Sequence, residues 1–424
     1  MKNIKILLLF FLSPLFVFAQ DEDVGLRYED YVYLDNIYSI KFTSGGLARN
    51  YPIVRLQSNS QLVLKFDVIG DDVRDYLYTI VHCDSDWQPS ELQDIDYIDG
   101  FNEDDIENYD FSFNTVTNYT NYQLALPNGD ISWTKSGNYL LKIYDDTDDK
   151  KLAITRRFVV ADSRVAINGA MRRPANNTKN RTHQELDFII NFDQFPIRNP
   201  HTDIKVVVLQ NGRWDTSIEI DKPMFVKPEE LIYDFQDKIV FPAGKEFRFA
   251  DIRTFEYRTN SIFEVSATRD HFDVTLHKDI DRTNQPYLSG EDLNGKYVIE
   301  SMEQRDGDLR AEYGHILFAL DESPAFSNHD VYLFGEFTDW RIQERFKMTY
   351  NPLVNGYVGK VLLKQGFYDY MYAVVDRETG TIDLSELEGD WHEAENDYTV
   401  IVYYAPFGAR YEQVIGIANF NSVR

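Results

Sequence analysis

Residues 331–376 read VYLFGEFTDWRIQERFKMTYNPLVNGYVGKVLLKQGFYDYMYAVVD, and the reading of this stretch decides the fold. Aromatic and β-branched residues gather in three runs, 331–334, 357–363 and 368–375, the composition of half-buried strands. Asn355-Gly356 and Gln365-Gly366 supply turn chemistry. Gly335 is expected to let the backbone bend where a side chain would crowd it, and Phe337 and Trp340 offer large faces to cover the open end of a sandwich. The pattern predicts an antiparallel sheet folded on itself.

Working outward, the rest of the chain is written in the same way. Short apolar or alternating runs at 32–42, 53–56, 61–68, 76–82, 122–126, 139–144 and 154–160 are separated by Gly, Pro, Asn and Asp. A second series follows at 164–168, 185–192, 204–209, 231–235, 247–254, 262–265 and 272–277, with a basic connection, RRPANNTKNRTHQ, at 172–184. After a linker-like lapse at 279–295, strands resume at 296–300 and 309–320, and 398–404 and 410–417 close the chain. No repeat of fixed short period appears. The fold class predicted is all-β, as tandem β-sandwich, immunoglobulin-like domains. The expected division is a leader at 1–19, then sandwiches at 20–162, 163–285 and 286–424. The acidic run 84–110 interrupts the first of them as a long loop carrying Trp87, Tyr97 and Phe101.

Composition limits the function classes. A chain of 424 residues supports two or three cores, and 43% hydrophobic with 15% aromatic residues marks a folded protein. The formal net charge is −27, which speaks against nucleic acid as a partner, since phosphate binding needs clustered Lys and Arg. Lys2 and Lys5 precede an apolar run at 6–18, with Val17 and Ala19 before the break; this predicts a secretory signal cut near Ala19 or Gln20. The run is short of the ~20 residues that span a bilayer. Cys83 is the single cysteine, so no intrachain disulfide forms, and stability rests on the cores. That suits the periplasm, although a secreted enzyme without disulfides would have the same composition.

The search for catalytic chemistry is negative: no Gly-x-Ser-x-Gly elbow, no phosphate loop, no His-Glu-x-x-His and no paired Cys-x-x-Cys occurs. His271 and His277 share a strand face but stand about 20 Å apart, too far to ligate one metal. Asp94, Asp96 and Asp99 before Gly100 depart from calcium-loop spacing, and no glutamate closes the loop. The acidic run 145–149 reads as a hairpin tip kept soluble by like charge. No pair among the 70 acids is singled out for glycoside hydrolysis. The expectation is therefore no enzyme, no cofactor and no metal.

Aromatics are the informative excess, and Trp87, Tyr97, Phe101 and Trp340 are the candidates for a partner-binding surface, because exposed Tyr and Trp anchor interfaces or stack on sugars. Two resemblances bear on the choice. The order Gly335-x-Phe337-x-x-Trp340, hairpin, Gly366-x-Tyr368-x-Tyr370 resembles the early-set, glycogen-binding-like immunoglobulin domains found beside starch- and glycogen-acting enzymes, which implies an exported carbohydrate-binding module as an alternative function. Those domains carry a second Trp after an Asp-Gly, and here Asp376 is followed by Arg377 and Glu378 with neither.

More of the chain bears on the other resemblance. His82-Cys83-Asp84-Ser85-Asp86-Trp87, Ser90-Glu91-Leu92, Asp99-Gly100-Phe101, Tyr119-Thr120-Asn121-Tyr122, Ser136-Gly137-Asn138-Tyr139 and Arg157-Phe158 resemble the first domain of the type IX secretion plug proteins of Bacteroidota. Glu388-Gly389-Asp390, Glu395-Asn396-Asp397-Tyr398 and the run 403–411, YYAPFGARY, are similar to the end of the same proteins. The resemblance implies a periplasmic protein without catalytic residues that docks under the wide SprA-type outer-membrane translocon barrel and closes its periplasmic mouth. It also implies alternation with a shuttle protein of the PorV type. A membrane barrel is the third class considered, and charges on both faces of many strands oppose it.

Overall fold

The computed structural model describes residues 25–148, 150–322 and 325–423, so the expected leader lies outside the described residues. Strand dominates these, as the period-2 pattern requires.

In the first sandwich, Tyr31–Val32, Lys151–Ala161, Gly137–Asp145, Tyr76–Cys83 and Asp104–Asp105 lie side by side in that order. Ile53–Arg55 adds to Lys151–Ala161 in parallel. The facing sheet runs Ile37–Ser44, Leu62–Ile69, Tyr119–Leu126, Tyr109–Phe111. Alternation sends Leu62, Leu64, Phe66 and Val68 inward from one sheet to meet Tyr76, Tyr78, Ile80, Tyr139, Leu141 and Ile143 from the other. Each such side chain contributes roughly 1.5–3 kcal/mol when fully buried. Two core tyrosines keep their hydroxyls bonded, Tyr122 Oη donating to the Arg74 carbonyl (2.9 Å) and Tyr139 Oη to that of Lys135 (2.8 Å), whereas the buried Tyr76 hydroxyl has no partner.

The second sandwich is discontinuous. One sheet runs Ala166–Arg172, His183–Asn191, Glu230–Tyr233, Phe225–Val226. The other runs Arg213–Ile220, Ile204–Gln210, Asp397–Tyr404, Gln413–Asn421, with Ile204 opposite Tyr404 and Gln210 opposite Tyr398. The third sandwich is inserted between the two parts. Its strands run Arg248–Asp251, Gly366–Asp376, His329–Phe334, Lys347–Asn351, Gly356–Lys364, Tyr313–Asp321, Phe272–Leu276, Ile262–Ala267.

The contiguous division at 163–285 and 286–424 is thereby corrected, since the closing hairpin belongs to the second sandwich and the strands between 248 and 276 to the third. Alternation shows that a strand has a buried face and is silent on which sheet it joins. The run YTVIVYY at 398–404 is apolar on both parities because both faces are covered. Tyr398, Val400 and Val402 face the second core, while Ile401 and Tyr403 pack on Val159 and Ala161 of the first sandwich.

The run 84–110 is also folded, contrary to the expected loop. It contains a helical turn, Asp94–Tyr97, and the strands Ile98–Gly100 and Asp104–Asp105. Gly335 proves to be needed for a close approach: its backbone is extended, and a Cβ there would lie 2.9 Å from the Asp369 carbonyl oxygen.

Candidate docking surface

The motifs of the two ends meet. His82 and Cys83 end a strand whose neighbour begins at Gly137, and Gly137 has φ +155° with space for a Cβ taken by His82 Nε2 at 2.2 Å. Burial holds His82 down to about 4 and pushes the Cys83 thiol up to about 12, so neither is charged or reactive near neutrality. Trp87 lies over Cys83 and Leu140 and meets Trp214 of the second sandwich edge-on, ring centroids 4.8 Å apart. The Arg157 guanidinium covers its other side at 4.5 Å.

From the chain's end, Tyr403 Oη donates to Asn138 Oδ1 (2.9 Å) and Glu412 Oε2 accepts from the Ser85 N–H (2.7 Å). Arg410 donates to the Glu91 carbonyl (2.8 Å) and to Asp96 Oδ2 (2.9 Å). Residues 82–91 and 403–412 thus form one interface between the first two sandwiches.

First and third sandwiches are joined by charge. Lys364 and Asp67, both about 1% exposed at the side chain, form an ion pair of 2.7 Å. Tyr313 Oη donates to the same carboxylate (2.6 Å), as does Asn121 Nδ2 (2.7 Å). Arg156 pairs with Asp339 at 3.2 Å, and Lys41 with Glu336. At the meeting point of all three sandwiches a cavity is lined by Tyr51 and Arg156, by Asn211 and Trp214, and by Lys296 and Trp340. Lys296 lies there with Nζ 3.5 Å from the centre of the Tyr51 ring, and burial draws its ammonium down to about 8.

The four aromatic candidates separate against this frame. Trp87 and Tyr97 are 5% and 2% exposed, so their expected exposure is corrected: the first is engaged between sandwiches, and the second sits in the first core with its hydroxyl on Asp94 Oδ1 at 2.6 Å. Trp340 is half-buried, its ring against Phe334 and Phe247 with the Arg213 guanidinium at 4.9 Å. A sugar face there is already occupied. Phe101 is open to solvent, 63% exposed.

Sequence reading passed over Tyr109, Phe111 and Phe113, which are exposed on and beside the edge strand Tyr109–Phe111, and Phe407, fully exposed at the tip of the last hairpin. Alternating aromatics on 109–113 were the available signal, as was an aromatic between Pro406 and Gly408 in a turn. Among the described residues one group brings metal-ligating atoms together, His271, Asp273 and His315. Among them also, no helix is long and apolar enough to cross a membrane.

Comparison with known proteins adds to this geometry. Residues 37–162 match the family model described as type 9 secretion system plug protein first domain. The crystal structure of a hypothetical protein from Parabacteroides merdae ATCC 43184 is 31% identical and superposes with a TM-score of 0.89, covering 94% of this chain and 100% of that one. The major pilin subunit BcpA of Bacillus cereus, 9% identical over 49% of this chain and 56% of its own, reaches a TM-score of 0.15, which carries no argument. No curated protein matches the sequence. The matched segment spans both sheets of the first sandwich and contains most of the motifs buried against the second, and over residues 37–162 the chain belongs to the family of type 9 secretion system plug proteins as their first domain.

Proposed function

We propose that this protein is a non-catalytic plug that binds the periplasmic mouth of the SprA-type outer-membrane translocon barrel and seals it while no substrate is present, alternating there with a PorV-type shuttle. The observation that carries the reading, beside the family match, is that the family-like motifs are used inside the molecule to fix the first two sandwiches to one another. A stopper acts by occupying space, and close-packed cores with buried interfaces resist deformation. The acidic, exported character fits a periplasmic place at the inner face of the outer membrane.

A contact that must release suits a polar surface with a few aromatic anchors. Phe101 and Phe407 are the anchors proposed, because both are exposed and neither supports a core. The test is affinity purification of the tagged protein from its native envelope, with wild type compared with Phe101→Ala and Phe407→Ala. Recovery of the barrel with wild type and its loss in the variants is expected. A wild-type preparation that brings no barrel, or deletion cells whose outer membrane excludes small dyes as well as the parent does, overturns the reading.

A further inference from the structure

The strand Phe272–Leu276 runs parallel to Tyr313–Asp321, and the register sets Asp273 directly opposite His315. Just before that strand, His271 turns its ring to the same carboxylate: His271 Nε2 is 3.1 Å from Asp273 Oδ2, while His315 Nδ1 lies 3.9 Å from Asp273 Oδ1. One ligand atom from each residue falls within 4.8 Å of the others. Donors about 2.0–2.1 Å from a tetrahedral ion stand roughly 3.4 Å apart, so small side-chain rotations bring the three into place. Sequence spacing sets His277 too far from His271 to share an ion; pairing of distant strands supplies His315.

One detail points to a ligand. The buried Nδ1 of His315 has no hydrogen-bond partner. The Thr268 hydroxyl donates to the His271 carbonyl (3.0 Å), and its oxygen lies 3.1 Å from His271 Nδ1. His271 Nε2 and Asp273 Oδ2 share a hydrogen bond (3.1 Å). When an ion takes Nε2, the Nδ1–H is left to donate to the Thr268 oxygen, which then holds the ring as an outer-shell partner does.

We propose that His271, Asp273 and His315 bind one divalent transition-metal ion of the zinc class, with water completing the coordination, and that the ion ties the 272–276 strand to its parallel neighbour. Two imidazoles and one carboxylate favour such an ion over calcium or magnesium, which take oxygen ligands. The Lys360 ammonium, 2.7 Å from Asp273 Oδ1 and half exposed, competes for the carboxylate and swings into solvent when the ion binds.

The test is calorimetric titration of zinc chloride into the metal-free full chain near neutral pH, with cobalt(II) absorption as a second readout. One ion per chain is expected, with visible cobalt bands, and the thermal midpoint should rise with zinc. His271→Ala and His315→Ala should each weaken binding at least about tenfold, Thr268→Val by about tenfold. Lys360→Met should tighten it, because the competitor is gone, and His277→Ala should leave it unchanged. Absence of saturable binding, wild-type affinity in both histidine variants, loss in His277→Ala, or no gain in Lys360→Met overturns the assignment.

Discussion

Replacing Lys364 by Met removes a charge and keeps the alkyl chain, so it isolates what the ion pair between the first and third sandwiches contributes. The ammonium donates to Asp67 Oδ2 (2.7 Å) and to the Asp308 carbonyl (2.7 Å), and lies 4.0 Å from the centre of the Tyr119 ring. Without it the Asp67 carboxylate keeps two neutral donors, Tyr313 Oη and Asn121 Nδ2, but is a buried anion with no counter-ion. Breaking such a pair costs about 3–5 kcal/mol, most of it the penalty of the stranded charge. Urea unfolding followed by tryptophan fluorescence should show Lys364→Met destabilised by that amount, and solution scattering should show a larger radius if the first sandwich separates. Asp67→Asn with Lys364→Met removes the stranded charge, so the double variant should be less destabilised than the sum of the single ones by about 2 kcal/mol or more. A single variant within about 1 kcal/mol of wild type, or strict additivity in the double, refutes the reasoning.

Trp87→Ala, which opens a cavity between Trp214, Arg157 and Leu140, should cost about 3–5 kcal/mol in urea unfolding, whereas Phe101→Ala should stay within about 0.5 kcal/mol; equal effects would show that Trp87 is not enclosed. Asp369 is pushed up to about 8, chiefly by burial and then by the Asp292 carboxylate, so the folded state holds a proton that the unfolded chain releases near pH 4. Its contribution is complete below that range and is lost as pH rises through about 8, at up to ~1.4 kcal/mol per pH unit. Asp369→Asn mimics the protonated acid, and its advantage over wild type in urea midpoint should grow from pH 5 to pH 8; an unchanged difference would contradict the raised value.

The sandwiches were legible wherever one face of a strand meets a core and the other meets solvent, as at Leu62, Leu64, Phe66 and Val68, because period 2 is then written directly in the residues. Partnership between distant strands was not legible. The run at 398–404 looks like a generic buried strand, and nothing in it names Ile204–Gln210 as its neighbour. Exposure failed for a related reason: Trp87 sits at φ +64° in an acidic, turn-rich run, the local signature of a surface loop, yet it rests on Cys83 and Leu140 and is closed over by Trp214 of another sandwich. The metal-ligand group was hidden in the same way, because a parallel pairing across some forty residues creates it. Phe407 could have been singled out, since a hairpin tip seldom buries an aromatic.

Insertion of the third sandwich into the second has a mechanical consequence. A domain joined by one linker pivots about it; this one is joined by two, and they are tied together, with the Gly244 N–H on Asp390 Oδ1 (2.9 Å) and the Trp391 N–H on the Gly244 carbonyl (2.7 Å). The first sandwich is attached to the second through the 82–91 and 403–412 motifs and to the third through Asp67 and Lys364. Contacts between every pair close a triangle, so rotation at one interface must open another. On the proposed plugging role, a body built this way would leave its seat whole, and a hinge within it would serve no purpose. Scattering from Lys364→Met reads this directly: if the triangle is closed, the wild type is rigid and the variant expands, and identical profiles would mean that the first and third sandwiches are held by something other than the buried pair.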